Sequence, residues 1–149
     1  MKKIIGLILV FIISLFINCK KQPDEILKNA TKIDYSFEQI INKYKKLRSF
    51  EKDELIKNIS GKKVIWNLYV GDVSSTFLET AITRSSLDPN DYFEVDLYSN
   101  AIYSTVTTYI KKEEAMKLKK GENVWVTGII YDNLGESLIY LFPTKIGKE

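Results

Sequence analysis

The spacing of apolar side chains changes near Lys62, and this change constrains the fold more than any other feature of the chain. Before it, apolar residues fall three and four positions apart, which lines one face of an α-helix: Phe37, Ile40, Ile41, Tyr44 and Leu47. After it, they fall at every second position, as in a half-buried β-strand: Val64, Trp66, Leu68 and Val70. The sequence therefore predicts a helical lead-in followed by a sheet.

Two helices are predicted in the lead-in. The first covers residues 34–49, and Ser36 and Gln39 stand in the capping-box relation at its start. The second is shorter and covers residues 50–59. Gly61 follows it, and glycine can end a helix in the left-handed conformation.

The sheet region is divided by turn residues. The predicted strands cover residues 62–70, ended by a turn at Gly71, then 77–84 and 92–98 as a hairpin, 123–131 and 137–142. Residues 99–108 are ambiguous, and residues 111–119 are predicted as a helix. Gly128 lies inside a strand, where it indicates a bulge or a sharp bend.

This order predicts an α+β, mainly β fold: a five-stranded OB-like Greek-key barrel over residues 62–146, with a helix between strands three and four and one or two N-terminal helices. The stretch EEAMKLKKGENVWVTG, residues 113–128, resembles the segment "helix, Leu-Lys-Lys-Gly, strand with a central Gly" of OB-fold domains of the tRNA-anticodon-binding type, including the tRNA-anti-like family of exported bacterial proteins. The stretch SGKKV, residues 60–64, resembles the entry to their first strand. The resemblance covers about residues 50–146.

The N-terminus carries an export signal. Lys2 and Lys3 precede an apolar stretch over residues 4–17, which is shorter than the roughly 20 residues that a membrane-spanning helix needs. Cys19, the single cysteine, follows it, and LFINC resembles a bacterial lipoprotein signal, in which the cysteine is lipidated. We expect a signal peptide at 1–18, lipidated Cys19 with a tether at 19–32, and one domain at 33–149, anchored to a bacterial membrane on its periplasmic or surface face. An uncleaved anchor and an ordinary secretory signal are the alternatives.

The mature chain would be nearly neutral. Loss of Lys2 and Lys3 lowers lysine plus arginine from 22 to 20 against 19 acidic residues, a net charge of +1. The cations at residues 43–48 and 111–120 have acidic neighbours and are typical of solvated helix faces. Since nucleic acid binding depends on clustered cations, the sequence disfavours nucleic acid as the partner.

The residue types exclude most catalytic chemistry. Without histidine, and with its only cysteine at the N-terminus, the chain lacks the usual nucleophile–base pairs and thiolate or imidazole metal sites. The carboxylates of Glu94, Asp96 and Glu79 are candidates for glycoside hydrolysis, but a solvated strand face explains them more simply. The acidic stretches at 88–91 and 132–136 are expected to be turns. We therefore expect no enzyme activity, no metal and no cofactor.

Aromatic residues are the better candidates for function. OB-folds bind ligands on strands two and three, and flat ligand groups stack on aromatic rings beside cations. The candidate binding residues are Tyr69, Arg84, Tyr92, Tyr98 and Trp125, whereas Trp66 is expected in the core. The sequence predicts a non-catalytic binding module for a protein, peptide, glycan or small ligand. The alternative is an envelope assembly component that docks on a partner protein through the helix at 37–47.

Overall fold

The computed structural model describes residues 23–75, 88, 90–134 and 138–147. It contains helices and strands in the predicted order of helical lead-in and sheet. They are α1 (Pro23–Asn29), α2 (Phe37–Lys46), α3 (Ser49–Ile59), β1 (Lys63–Ser74), β2 (Tyr92–Ser99), β3 (Ile102–Lys111), α4 (Lys112–Ala115), β4 (Asn123–Leu134) and β5 (Leu138–Gly147).

The five strands form a closed barrel in the order β1-β2-β3-β5-β4, and β4 pairs with β1 to close it. Strands β3 and β5 are parallel, and every other neighbouring pair is antiparallel. Helix α4 lies between β3 and β4. The predicted α+β fold with an OB-like barrel is therefore confirmed.

Alternate residues of each strand fill the barrel interior. The pattern is clearest in β1, where Val64, Trp66, Leu68 and Val70 are all buried. Val95 and Leu97 from β2, Val124 and Val126 from β4, and Ile139 and Leu141 from β5 complete the core. Because successive side chains of a strand point to opposite faces, the residues between these positions face outward.

Strand β1 continues beyond Gly71, so the turn predicted there is wrong. Its first half pairs with β4 from Lys63 to Tyr69, and its second half pairs with β2 from Tyr69 to Ser74. The register shifts between Val70 and Asp72, which makes Gly71 the extra residue of a β-bulge. The bulge bends β1, which lets one strand pair with two different neighbours.

The second and third strands of the barrel are not the segments that the sequence predicted. Tyr92–Ser99 is the second strand, and it pairs with β1 on one edge and with β3 on the other. The ambiguous residues form the third strand, Ile102–Lys111. The predicted strand at 77–84 lies outside the described residues. Both edges of β2 are occupied over residues 94–98, so a hairpin between the segments 77–84 and 92–98 is excluded there.

The elements that follow also differ from their predicted lengths. The helix predicted over 111–119 covers only Lys112–Ala115. It begins after Lys111 because that residue still pairs with Tyr92 at the end of β3. Gly121, at φ +79°, lies in the turn before β4. Strand β5 was predicted to stop before Pro143 but continues to Gly147. Pro143 is tolerated because the β4–β5 register shifts at that point, so no ladder hydrogen bond needs its missing N–H.

Helix α2 packs its apolar face against the barrel. Ser36 accepts a hydrogen bond from the Gln39 backbone N–H at 3.2 Å, and the Gln39 side chain accepts one from the Ser36 N–H at 2.8 Å, so the predicted capping box is confirmed. The ring of Phe37 lies 5.6 Å from that of Trp66, which is in the core as predicted. Ile41 is fully buried. The apolar stripe that was to dock on a partner protein is thus covered by the chain's own barrel.

Helix α1 lies in the segment that was expected to be a tether, and it packs on the barrel wall. Leu27 is buried, and its carbonyl accepts a hydrogen bond from Lys63 Nζ at 3.0 Å. Asp24 forms an ion pair with Lys145 of β5 at 3.0 Å. The residues Pro23–Asn29 are therefore packed on the barrel.

Candidate functional site

Two tyrosines meet on the outer surface of the barrel, where β1 and β2 are paired. Tyr69 and Tyr98 are directly opposite each other in the register. Their rings stack with centroids 5.7 Å apart and an interplanar angle of 29°. Both are half-buried. The structure therefore brings together two of the five aromatic and cationic residues that the sequence selected.

The bulge at Gly71 makes room for this pair. A Cβ atom at Gly71 would lie 3.1 Å from the Asp96 carbonyl oxygen and 3.4 Å from Cδ1 of Tyr98. Past the bulge, Asp72 lies opposite Asp96. Two like charges directly opposite each other on a sheet are destabilising.

Two clefts adjoin Tyr98. The first is about 290 Å³ and is lined by Gly71, Asp72, Asp96, Leu97, Tyr98, Thr105 and Lys120. The second is about 520 Å³ and lies at the turn between β2 and β3, with Tyr98 and Thr105 again in its lining. Tyr98 and Thr105 thus belong to the lining of both clefts. We name this surface the Tyr98 groove and define it by Asp72, Asp96, Tyr98, Ser104 and Thr105.

Asp72, Ser104 and Thr105 are the residues of the groove that sequence reasoning missed. Ser104 borders the larger cleft and is only 6 % exposed. Within the described part of the chain, its hydroxyl has no hydrogen-bond partner. Its side chain is in phase with the inward residues of β3, so the hydroxyl belongs to the barrel interior and not to the outer face that carries Tyr98. The sequence offered one signal for Ser104. In the segment 102–110 it lies an even number of positions before Val106 and Ile110, so it shares their inward face.

The carboxylates beside the groove are engaged with hydroxyls of β3. Tyr109 donates a hydrogen bond to Glu94 Oε2 at 2.9 Å, and Thr107 donates one to Asp96 Oδ1 at 2.6 Å. These hydrogen bonds hold both carboxylates against β3. Glycoside hydrolysis needs two carboxyl groups that flank one glycosidic bond, and the contacts themselves do not indicate such a pair. Glu79, the third candidate carboxylate, lies outside the described residues.

Two tyrosines in this cluster are held in the protonated form. Burial raises the pKa of Tyr109 strongly, and the hydrogen bond to Glu94 and the negative charges nearby raise it further. Burial also raises the pKa of Tyr140, with the charges of Glu94 and Asp96 adding to the effect. The outer face of β2, β3 and β5 is thus a hydroxyl-rich surface with a negative field.

The other predicted binding residues do not join the groove. Tyr92 lies opposite Lys111 at the far end of β2, about 20 Å along the strand from Tyr98. Trp125 of β4 lies opposite Asn67 of β1. The side-chain amides of Asn67 and Asn123 form two hydrogen bonds with each other, at 2.7 and 2.8 Å, and this amide pair separates Trp125 from Tyr69. Arg84 and Cys19 lie outside the described residues.

Trp125 belongs to a different surface. Its side chain is 42 % exposed and lines a hollow of about 260 Å³, together with Tyr35 and Ile65. The hollow lies between the segment that precedes α2 and the paired strands β1 and β4. Trp66, from the same hollow, donates its indole N–H to the Tyr35 carbonyl at 2.8 Å and so fixes this segment to the barrel.

The described residues contain neither a metal-binding cluster nor a membrane-spanning helix. Among the described residues, no three acidic, cysteine or histidine side chains come together as a metal site. In the same ranges, none of the helices has the length and apolarity to cross a bilayer.

Comparison with known proteins supports the fold. No family model matches the chain, and no curated protein matches it. A crystal structure from Klebsiella pneumoniae subsp. pneumoniae MGH 78578, described as a "putative nucleic acid-binding lipoprotein", is similar with a TM-score of 0.55 and 15 % sequence identity, and the match covers 86 % of this chain and all of that one. An OBody bound to hen egg-white lysozyme matches with a TM-score of 0.41 and 12 % identity, over 62 % of this chain and 87 % of its own. At this identity the first likeness establishes a shared fold. The resemblance to the tRNA-anti-like family stays a prediction.

Proposed function

We propose that this protein is a membrane-anchored binding module that holds an uncharged oligosaccharide in the Tyr98 groove without transforming it. The observation that carries the proposal is the position of the stacked pair of Tyr69 and Tyr98. It borders clefts whose polar groups include carboxylates and hydroxyls.

The chemistry of the groove favours a sugar. Aromatic rings offer a flat apolar surface for a pyranose ring, and a few placed polar groups fix the orientation of a ligand in a cleft. The carboxylates of Asp72 and Asp96 can accept hydrogen bonds from sugar hydroxyls, and the hydroxyl of Thr105 can both donate and accept. OB-folds use this side of the barrel for oligosaccharides as well as for oligonucleotides.

The same groove is poorly suited to a polyanion. Nucleic acid binding draws most of its affinity from lysine and arginine that neutralise phosphates. The cleft at Tyr98 offers Lys120 against two carboxylates, Asp72 and Asp96. Oligonucleotide binding is nevertheless the second candidate, because the similar crystal structure carries that description.

The anchor is proposed from the N-terminal sequence. An apolar stretch too short to span a membrane ends at the single cysteine, Cys19. The description of the similar crystal structure as a lipoprotein supports this proposal. A mass spectrum of the protein extracted from bacterial membranes tests it directly, because it reports the mature N-terminus and the acyl mass together. An unmodified Cys19 would refute the anchor.

The ligand is tested with the full chain by calorimetric titration. The probes are soluble oligomers of N-acetylglucosamine, which are uncharged, and a single-stranded oligonucleotide as the polyanion. We expect the sugar oligomer to bind. We also expect Tyr98→Ala to weaken binding roughly tenfold, because aromatic stacking contributes about 1–3 kcal/mol and 1.4 kcal/mol is a factor of ten.

Tyr35→Ala is the matched control. Tyr35 is a tyrosine with a 48 % exposed side chain that lies outside the groove, so we expect binding to be unchanged. If Tyr98→Ala binds the sugar as tightly as the wild type, the groove is not the site. If only the oligonucleotide binds, the second candidate replaces the first.

A further inference from the structure

We infer that the barrel lies on the bilayer through one defined wall, formed by the first half of β1, β4 and β5, with Trp125 and Ile65 in the headgroup region. This orientation rests on the proposed lipidation of Cys19, but not on the identity of the ligand. The partner of this surface is a phospholipid bilayer.

The chain geometry places the anchor beside this wall. Cys19 is four residues before Pro23, where α1 begins. An extended chain spans at most about 3.6 Å per residue, so the lipid attachment point lies within about 14 Å of Pro23. The first turn of α1 is fixed to the wall by the ion pair between Asp24 and Lys145. A lipid on Cys19 therefore brings this side of the barrel close to the membrane surface.

Trp125 and Ile65 lie near the ion pair that joins α1 to the wall. Thr127 of β4 is opposite Lys145 on one side and opposite Ile65 on the other. Trp125 is two residues along β4 from Thr127, so it is a diagonal neighbour of Ile65, about 7–8 Å away between Cα atoms. Ile65, Thr127 and Trp125 form one outward patch beside Lys145, the residue that pairs with Asp24 of α1.

The chemistry of the patch fits the interface of a bilayer. Ile65 is 43 % exposed and Trp125 is 42 % exposed, and tryptophan concentrates at the headgroup level because its ring is apolar with one polar N–H. The lysines nearby are compensated: Lys145 pairs with Asp24, and Lys32 pairs with Asp34 at 2.8 Å. We therefore expect apolar burial to dominate, with little dependence on anionic lipid.

The orientation leaves the ligand groove accessible. In the barrel order β1-β2-β3-β5-β4, the strands β2 and β3 lie across the barrel from β4. Tyr98 on β2 and Thr105 on β3 then face away from the membrane that β4 contacts. A ligand in the surrounding compartment could reach the groove without displacing the protein from the bilayer.

The test uses the full acylated protein, extracted from membranes and reconstituted into phosphatidylcholine vesicles with or without phosphatidylglycerol. Lipids brominated on the acyl chain near the headgroup quench tryptophan by contact. The protein has two tryptophans, and Trp66 is buried in the core. The difference between wild type and Trp125→Phe therefore reports Trp125. We expect brominated lipid to remove about half of the Trp125 emission, since interfacial side chains enter to about 5–10 Å.

The control places a tryptophan on the far side. Lys111 is exposed on β3, so Lys111→Trp in the Trp125→Phe protein should keep its emission in brominated vesicles. If Trp125 is unquenched in vesicles that carry the protein, or if both positions are quenched equally, the orientation is refuted. If the protein has no acyl mass and does not float with vesicles, the anchor has failed, and the orientation fails with it. Sugar binding is measured separately and would be unaffected by either result.

Discussion

Gly128→Ala tests whether the strand glycine is required for the closure of the barrel. Gly128 of β4 is paired with Val64 of β1 on one side and with Thr144 of β5 on the other. A Cβ atom there would lie 3.0 Å from Leu141 Cβ and 3.0 Å from Thr144 Oγ1. Leu141 Cβ is attached to the backbone of β5 and cannot rotate away. The methyl group therefore forces β5 away from β4 or displaces Thr144.

The cost follows from the groups that must move. Overpacking a core typically costs about 1–3 kcal/mol. The hydroxyls of Thr144 and Thr108 are hydrogen-bonded at 2.6 Å, and the loss of such a bond costs about 0.5–1.5 kcal/mol. Replacing glycine restricts the unfolded chain and recovers about 0.4–1 kcal/mol. We expect the free energy of unfolding to fall by about 1–3 kcal/mol, or Tm by roughly 4 °C for each kcal/mol in a domain of this size.

Urea denaturation followed by tryptophan fluorescence measures this change, with Gly147→Ala as the matched control. Gly147 is likewise a strand glycine, at the end of β5, but a Cβ atom there would meet no atom within 4 Å. We expect the control to be as stable as the wild type or slightly more stable. Equal stability of the Gly128→Ala protein would refute the close approach of β4 and β5 at this residue.

Four further predictions concern other parts of the fold and the groove. Ser36→Ala removes the cap of α2 and should cost about 1 kcal/mol in urea denaturation; an unchanged midpoint would contradict the cap. Ile41→Ala leaves a cavity between α2 and the barrel and should cost about 2–5 kcal/mol by the same assay, whereas a cost below this range would mean that the helix packs loosely. Stability should decline above about pH 10, because the pKa of Tyr109 is raised in the folded state by burial and by Glu94, so the unfolded chain releases this proton first. Tyr109 should contribute at most about 1.4 kcal/mol per pH unit to this slope, and Tyr109→Phe should make the slope less steep; an equal slope in both proteins would exclude this residue as a cause. Ser104→Ala should leave Tm unchanged or slightly higher, since its buried hydroxyl has no hydrogen bond to lose within the described chain, and a large drop in Tm would indicate a structural role.

The inner face of the barrel could be predicted because apolar residues occupy every second position of its strands. Val64 to Val70 in β1 and Val124 to Val126 in β4 carry this pattern without interruption. The capping box of α2 and the positive φ of Gly61, at +74°, depend on a few adjacent residues and were equally accessible. These features are local, and local chemistry decides them.

The third strand was obscured because two of its inward positions are polar. Ser104 and Thr108 stand where the alternation calls for apolar residues, and both are buried. Thr108 is satisfied by the Leu141 carbonyl of β5, to which it donates at 2.9 Å, a partner 33 positions away in the chain. A buried polar residue with a distant partner cannot be distinguished from a surface residue by its neighbours in sequence. The assignment of β3 thus required the tertiary structure.

The candidate site was predicted in its residue types but not in its assembly. Tyr69 and Tyr98 become a stacked pair through the β1–β2 register, which is offset at once by the bulge at Gly71. A slip of one residue would turn one of the two rings to the other face of the sheet. Trp125 looked equivalent to them in sequence and is separated from Tyr69 by an amide pair. Register and cross-strand hydrogen bonds therefore decide which aromatic residues form a site.

Alternation along the strands separates what holds the barrel from what meets the ligand. In β2, Val95 and Leu97 are fully buried, while Asp96 and Tyr98 between them line the groove. Because the two sets point to opposite faces, the outer set can differ between barrels that share the inner one. A shared fold at 15 % identity is thus compatible with different ligands. The proposal of an uncharged, hydroxyl-bearing ligand for this chain rests on the opposed carboxylates of Asp72 and Asp96, which would repel phosphate.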